Sequence, residues 1–322
     1  MIQNFDIAIV GAGPIGLACA IEAKKNNLSH ILIEKGCLVN SIYNYPTNMI
    51  FFSTSERLEI GDVPFISHGI KPTRSEALEY YRRVKDKWNL NVKTYERVDQ
   101  IKRLENSFNI LTDKGEYCAS KVIIAVGFYD HPNLMNIPGE ELTKVKHYYH
   151  EPHPYSYEKI AIIGGGNSAV DVALETFRRG AQVSMIIKGN ALEKNVKYWV
   201  RPDIENRIKD GDIKAYFNST LKIIKEKDIV INTPNGEVKL KNNFVLAMTG
   251  YKPDYEFLKK IGIKFSNKEF KIPKFNSKTY ETNIKGLYLA GVVCGGMNTS
   301  KWFIENARVH APQIMKHILK NI

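Results

Sequence analysis

From Ile7 the chain reads IAIV, then the glycine cluster GAGPIG, then about twelve residues in which apolar positions recur at helical spacing, then a second apolar run ending in Glu34. An apolar run of strand length, a stretch of helical period and another apolar run together predict a βαβ unit. The pattern returns without a gap 153 residues later: IAIVGAGPIGLACAIEAKKNNLSHILIEKG from Ile7 lies over IAIIGGGNSAVDVALETFRRGAQVSMIIKG from Ile160. Gly180 falls where a left-handed helix stop belongs.

Each repeat is followed by a further strand and glycine, VIIAVGFY (Val122 to Tyr129) and FVLAMTGYKPD (Phe244 to Asp254), which predict the passages of the chain from one domain to the other. The remainder reads as a buried strand, GLYLAGVV, and an apolar helix from about Trp302, with Pro312 interrupting that helix or starting a new segment. The expected fold class is α/β, with two Rossmann-like dinucleotide-binding domains of three-layer ββα type. One comprises residues 1–128 and 252–322, and the other, residues 129–251, is inserted into it.

The glycine clusters carry the chemistry. In G-x-G-x-x-G the first glycine permits a tight turn, the second lets the backbone approach a pyrophosphate, and the third allows helix to pack on strand. Unpaired amides at the helix start then bind the phosphates. Gly11, Gly13 and Gly16 fit this scheme, with Pro14 and Ile15 between them, and Glu34 ends the second strand where a carboxylate meets a ribose hydroxyl. Lys35 follows it. In the second copy Gly164, Gly166 and Ala169 take the glycine positions and Asn167 and Ser168 open the helix, but Glu34 aligns with Ile187 and the next residue is Lys188. With Lys194, Lys197 and Arg201 close behind, a cation stands where a carboxylate would repel a 2′-phosphate, which reads as NADP(H) over NAD(H). Two different dinucleotide sites imply electron transfer between their ligands, so the first is expected to hold FAD and the second NADPH.

Composition narrows the picture. With 43% apolar and 25% charged residues among 322, and no apolar run near the roughly 20 residues that cross a bilayer, the chain reads as a globular protein without a membrane role. No basic segment, apolar stretch and cleavage site open the sequence, so a cytoplasmic location is expected. The formal charge of +12 is spread over lysines interleaved with acids, which argues against nucleic acid. The four cysteines, Cys19, Cys37, Cys118 and Cys294, form no C-x-x-C pair, so neither a metal site nor a vicinal dithiol is expected.

The paired turns and the returns at AVGFY and MTGYKPD resemble the thioredoxin-reductase-type flavoproteins. More narrowly, EKGCLVNSIYNYPTNMIFFSTSERLEIGDVPF, IIGGGNSAVD, GYKPDYEFL, YETNI and FIENARVH resemble the bacillithiol-disulfide reductase family. That resemblance implies an NADPH-dependent flavoenzyme of redox homeostasis, acting on the disulfide of a low-molecular-weight thiol or another small electron acceptor and expected to be a homo-oligomer. It also implies that Asn44 and Tyr45, with Pro46, lie beside the isoalloxazine, that Gly291 sets a helix start near it, and that Val98 and Gly127 join the flavin site. The group's Asp after that glycine is replaced by Val292.

Thioredoxin reductases relay electrons through C-x-x-C before the second turn, where this chain has KHYYHEPHPYSYEK, so that relay is excluded. Several members of the narrower family carry a cysteine at the position of Ile15, whose side chain cannot attack a disulfide. Cys294, soon after Gly291, is the candidate for a mixed disulfide, set against its reading as a small core residue. His147, His150, His153 and His310 are candidate acids for a leaving thiolate. Alternatives that need no cysteine are ferredoxin or flavodoxin–NADP reductase-like electron transfer, flavin monooxygenation, and a non-enzymatic redox sensor.

Overall fold

The computed structural model describes residues 2–266 and 270–321. The chain forms two compact units: Met1–His131 together with Tyr251–Ile322, and Pro132–Gly250, which is contiguous and interrupts the first in sequence.

In the first unit, strand Gln3–Val10 pairs in parallel with His30–Ile33 on one side and with Glu116–Ile124 on the other. Ile7 to Val10 and His30 to Ile33 are all buried, as expected of parallel strands covered on both faces. Among the described residues the sheet runs in the order Val92–Lys93, His30–Ile33, Gln3–Val10, Glu116–Ile124, Phe108–Thr112, Val98–Arg103. Strand Glu116–Ile124 has two lives. Its first half alternates between buried and open positions and pairs antiparallel with Phe108–Thr112, while Val122 to Ile124 are fully buried and pair in parallel with Leu287–Leu289. An antiparallel meander is thus grafted onto a parallel sheet through one long strand.

Helix Pro14–Lys25 follows the first strand and packs against helix His310–Leu319. The apolar helix expected from about Trp302, with an interruption or a new segment at Pro312, is found as two helices, Ile304–Ala307 and His310–Leu319. Pro312, without an N–H, cannot bond the carbonyl of Arg308, which removes a helix bond across the junction at Arg308 and Val309. It is tolerated in the first turn of the second helix, where amides lack helical partners.

The second unit repeats the plan. Its parallel sheet runs Lys214–Tyr216, Gln182–Ile186, Lys159–Ile163, Phe244–Ala247, Val145–Lys146, and a separate antiparallel meander comprises Thr220–Ile224, Asp228–Thr233 and Gly236–Lys241. Helix Asn167–Phe177 fills the place of Pro14–Lys25 and ends near Gly180, whose φ of +85° is the expected left-handed stop. The α/β class with two dinucleotide-binding folds, one inserted in the other, is the architecture found. None of the described helices is long and apolar enough to cross a membrane.

Candidate functional site

The first turn has a separate steric reason for each glycine. Gly11 has φ +103°, and a side chain there would meet the Ala125 carbonyl oxygen at 2.5 Å; a side chain on Gly16 would collide with the carbonyl of Gly11. Both serve the packing of turn on strand. At Gly13 nothing lies within 4 Å of the corresponding position. Gly13 is extended (φ −72°, ψ 177°), no side chain caps the helix, and Pro14 occupies its first turn. Open space before unsatisfied amides at a helix start fits a pyrophosphate.

Glu34, only 8% exposed, accepts the Ala12 amide on Oε2 and the Gly36 amide on Oε1, each at 2.9 Å. Burial raises its pKa, and the two amides oppose that by favouring the carboxylate. Each oxygen keeps acceptor capacity for a ribose hydroxyl. Lys35 is paired with Asp130 at 3.0 Å. Val98 is buried at the start of its strand, two residues beyond Glu96, whose amide donates to the Glu34 carbonyl at 2.9 Å.

Further loops of the same unit gather at this helix start. Gly127 (φ +74°) faces Ser41 and Val292, at 3.9 and 4.0 Å from where its side chain would begin, and Gly291 (φ +83°) faces Ile15 at 3.3 Å. The Tyr129 hydroxyl donates to the Asn44 carbonyl at 3.2 Å, and the ring of Tyr129 lies 4.9 Å from Tyr45 and 4.4 Å from Tyr251. The Asn44 amide donates to Asn40 at 2.9 Å. The Tyr45 phenol is pushed up to about 12, mainly by burial. The structure therefore brings Gly13, Ile15, Gly127 and Gly291 together, with Asn44 and Tyr45 joined to them through Tyr129.

His310 has a part that sequence reasoning did not assign. Its ring is fully buried, stacked on Tyr280 with Trp302 edge-on, and its Nδ1 accepts the Gly291 amide at 3.1 Å. That bond requires a neutral ring with its proton on Nε2, and burial holds the pKa down at about 4. A candidate acid is in fact the brace of the Gly291 turn. The sequence hint was a histidine opening the helix that follows GLYLAGVV.

The candidate thiol lies in the core. Cys294 is fully buried, and burial, followed by the neighbouring Cys19, drives its pKa far upward. A protonated thiol sealed in a core is no nucleophile, because attack needs exposed thiolate. Cys19 is equally enclosed, and Cys37, half-buried, is also raised by desolvation.

In the second unit Gly164 (φ +131°) abuts the Met248 carbonyl oxygen, 2.6 Å from where a side chain would begin, and Ala169 is buried beside it. Where Glu34 holds the Ala12 amide in the first turn, the aligned Ile187 packs on Gly165 at 2.9 Å from the equivalent point. An acid bridge is thus replaced by an apolar contact. Gly166 begins helix Asn167–Phe177 without a capping side chain. The Asn167 side chain accepts the Lys197 amide at 2.9 Å and donates to the Asn195 carbonyl at 3.0 Å, while Lys197 pairs with Asp171 at 2.6 Å. Lys188 and Ser168 are exposed, and Lys188 stands open to solvent two residues past strand Gln182–Ile186.

A family model for pyridine nucleotide-disulphide oxidoreductases matches residues 8–291. Bacilliredoxin reductase Bdr of Bacillus subtilis (strain 168) is 45% identical over 322 residues, 99% of each chain. Two solved structures of bacillithiol disulfide reductase Bdr (YpdA) are also similar, each with a TM-score of 0.97. That from Bacillus cereus is 41% identical and that from Staphylococcus aureus 40%, covering 99% of this chain and 100% and 99% of theirs.

Proposed function

Because the chain belongs to the pyridine nucleotide-disulphide oxidoreductase family, we propose that it reduces the disulfide of a low-molecular-weight thiol of bacillithiol type with electrons from NADPH. FAD and NADPH are the cofactors of this family. In this reading the unit Met1–His131 with Tyr251–Ile322 takes FAD, its pyrophosphate at Gly11 to Gly16 and a ribose at Glu34. The unit Pro132–Gly250 takes NADPH at Gly164 to Ala169, with Lys188 at the 2′-phosphate. One disulfide, one NADPH and one proton give two thiols and NADP+. Bound FAD supplies the two-electron carrier between them.

The observation that carries this reading is full-length likeness to enzymes named for bacillithiol disulfide and bacilliredoxin, in a chain whose two phosphate turns differ as a flavin and an NADPH site would. Ile15 at the flavin-side turn, the sealed Cys294 and the enclosed Cys19 support reduction of the acceptor without a mixed disulfide to the enzyme. The four free thiols suit a reducing compartment such as the cytoplasm.

The test is anaerobic reoxidation of the NADPH-reduced holoprotein, followed by flavin absorbance, with bacillithiol disulfide, glutathione disulfide, ferredoxin and then oxygen as acceptors. Fastest reoxidation by bacillithiol disulfide, with two thiols released per NADPH, is expected. Indifference to every disulfide, with rapid turnover on ferredoxin or with oxygenated product, would overturn the proposal.

A further inference from the structure

The two phosphate turns differ in what stands before them. A side chain begun on Gly13 would meet no atom within 4 Å, whereas one begun on Gly166 would lie 3.0 Å from Oε2 and 3.2 Å from Oε1 of Glu193. The second glycine of such a turn is the one a pyrophosphate approaches. A carboxylate there, at the uncapped start of an eleven-residue helix, sits where the helix dipole and free amides favour an anion.

The backbone that presents Glu193 is pinned. Its amide donates to the Gly165 carbonyl at 3.0 Å, its own carbonyl accepts the Val196 amide at 3.1 Å and also the Arg201 guanidinium, and Leu192 and Val196 are buried in the core of this unit. Two of the basic residues that follow are engaged within the unit, Lys197 with Asp171 and Arg201 with Glu205 at 2.9 Å. Glu193 itself is exposed. The carboxylate is therefore free to leave by rotation of its side chain, without the loop opening.

We propose that Glu193 is an affinity-setting residue of the nucleotide site: its carboxylate stands in for the pyrophosphate and must swing away when the nucleotide binds. The inference rests on NADPH binding in this unit. Displacement costs the attraction between the carboxylate and the positive end of the helix dipole and leaves a negative charge near the incoming phosphates. The cost falls on the pyrophosphate, which NADPH and NADH share. Glu193 thus weakens both nucleotides by one factor, whereas Lys188 acts on the 2′-phosphate and sets their ratio.

The experiment is calorimetric titration of the FAD-loaded, oxidised protein with NADP+ and with NAD+, which bind without reducing the flavin. Glu193→Gln should tighten both by about two- to fivefold, the effect of a carboxylate at a helix N-terminus, and leave their ratio unchanged. Glu193→Ala should do the same, which separates charge from side-chain bulk and guards against a variant that folds poorly. Unchanged affinity in both variants overturns the inference. So does weaker binding, which would make the carboxylate a ribose acceptor instead. Gly166→Val is the control on the premise: if it still binds NADP+ as the wild type does, the assignment of the nucleotide to this turn fails, whatever Glu193 does.

Discussion

Substituting the three glycines of the first turn separates folding from cofactor binding, because the structure gives each a different neighbour. Gly11→Ala forces an L-residue to φ +103° and drives a methyl to 2.5 Å from the Ala125 carbonyl oxygen. Left-handed backbone costs about 1–2 kcal/mol and overpacking about 1–3 kcal/mol, so the apoprotein should lose roughly 2–5 kcal/mol. Gly16→Ala meets the Gly11 carbonyl and should lose stability by the same overpacking route. Gly13→Ala has neither problem, since its backbone is extended and no atom lies within 4 Å of the added methyl. The apoprotein should hold its stability to within about 0.5 kcal/mol. In the proposed FAD site its methyl would stand in the path of the pyrophosphate, and losing two charge-assisted hydrogen bonds of about 1.5–3 kcal/mol each should weaken FAD by roughly a hundred- to ten-thousandfold. The assay is urea denaturation of FAD-stripped protein beside equilibrium flavin retention by visible absorbance. Should Gly13→Ala denature as early as Gly11→Ala, or keep FAD at wild-type affinity, the division of labour argued from these contacts is wrong.

Three other substitutions test the remaining parts of the site. Lys188→Glu should weaken NADP+ about 10- to 100-fold by exchanging a charge-assisted contact for repulsion while NAD+ changes little; equal losses for both, measured by titration, would remove Lys188 from the 2′-phosphate. His310 is held at about 4 in the fold against an ordinary 6.5, so between those values the unfolded chain takes up a proton that the folded one refuses. Stability is full above about pH 6.5 and falls toward pH 4, by about 3 kcal/mol over the window. His310→Gln should remove that slope, and a wild-type-minus-variant difference that stays flat across the window in urea midpoints would refute it. Cys294→Ala should reduce disulfides at a rate within about twofold of wild type, since a sealed thiol takes no part; a folded, FAD-loaded variant without disulfide reduction would show that the thiol is reached after all.

Much of the parallel framework was legible because buried parallel strands print continuous apolar runs: Ile7 to Val10 and Ile160 to Ile163 announced themselves, and the glycine turns fixed the helices that follow. The meander Val98–Arg103, Phe108–Thr112 and the first half of Glu116–Ile124 was not read, because its half-exposed alternation is diluted by Lys102, Arg103, Asn109 and Glu116. The break after Ala307 was half visible in Pro312. Contacts of the candidate site divided in the same way. Gly11, Gly13, Gly16 and Glu34 lie within one βαβ unit, where spacing determines contact. The bond from Gly291 to His310 spans nineteen residues across a helix restart, and Glu193 reaches Gly166 across a loop of no regular period. Spacing alone does not report either contact.

If the first turn takes FAD and the second NADPH, as proposed, the contrast between the turns matches the different demands on those ligands. In the first, Glu34 is already held by the amides of Ala12 and Gly36, so a ribose meets an acceptor whose geometry needs no rearrangement, and nothing occupies the space before Gly13. Preorganisation of this kind favours tight, lasting binding, which suits a carrier that stays through many turnovers. The second ligand must leave after each hydride is given up, and release often limits such enzymes. There the acid bridge is gone, Ile187 packs where Glu34 would bond, and Glu193 competes for the place before Gly166. A helix start that supplies its own anion loses less when the nucleotide departs, so under the proposed assignment weaker binding at the second turn would serve turnover and open binding at the first would serve retention.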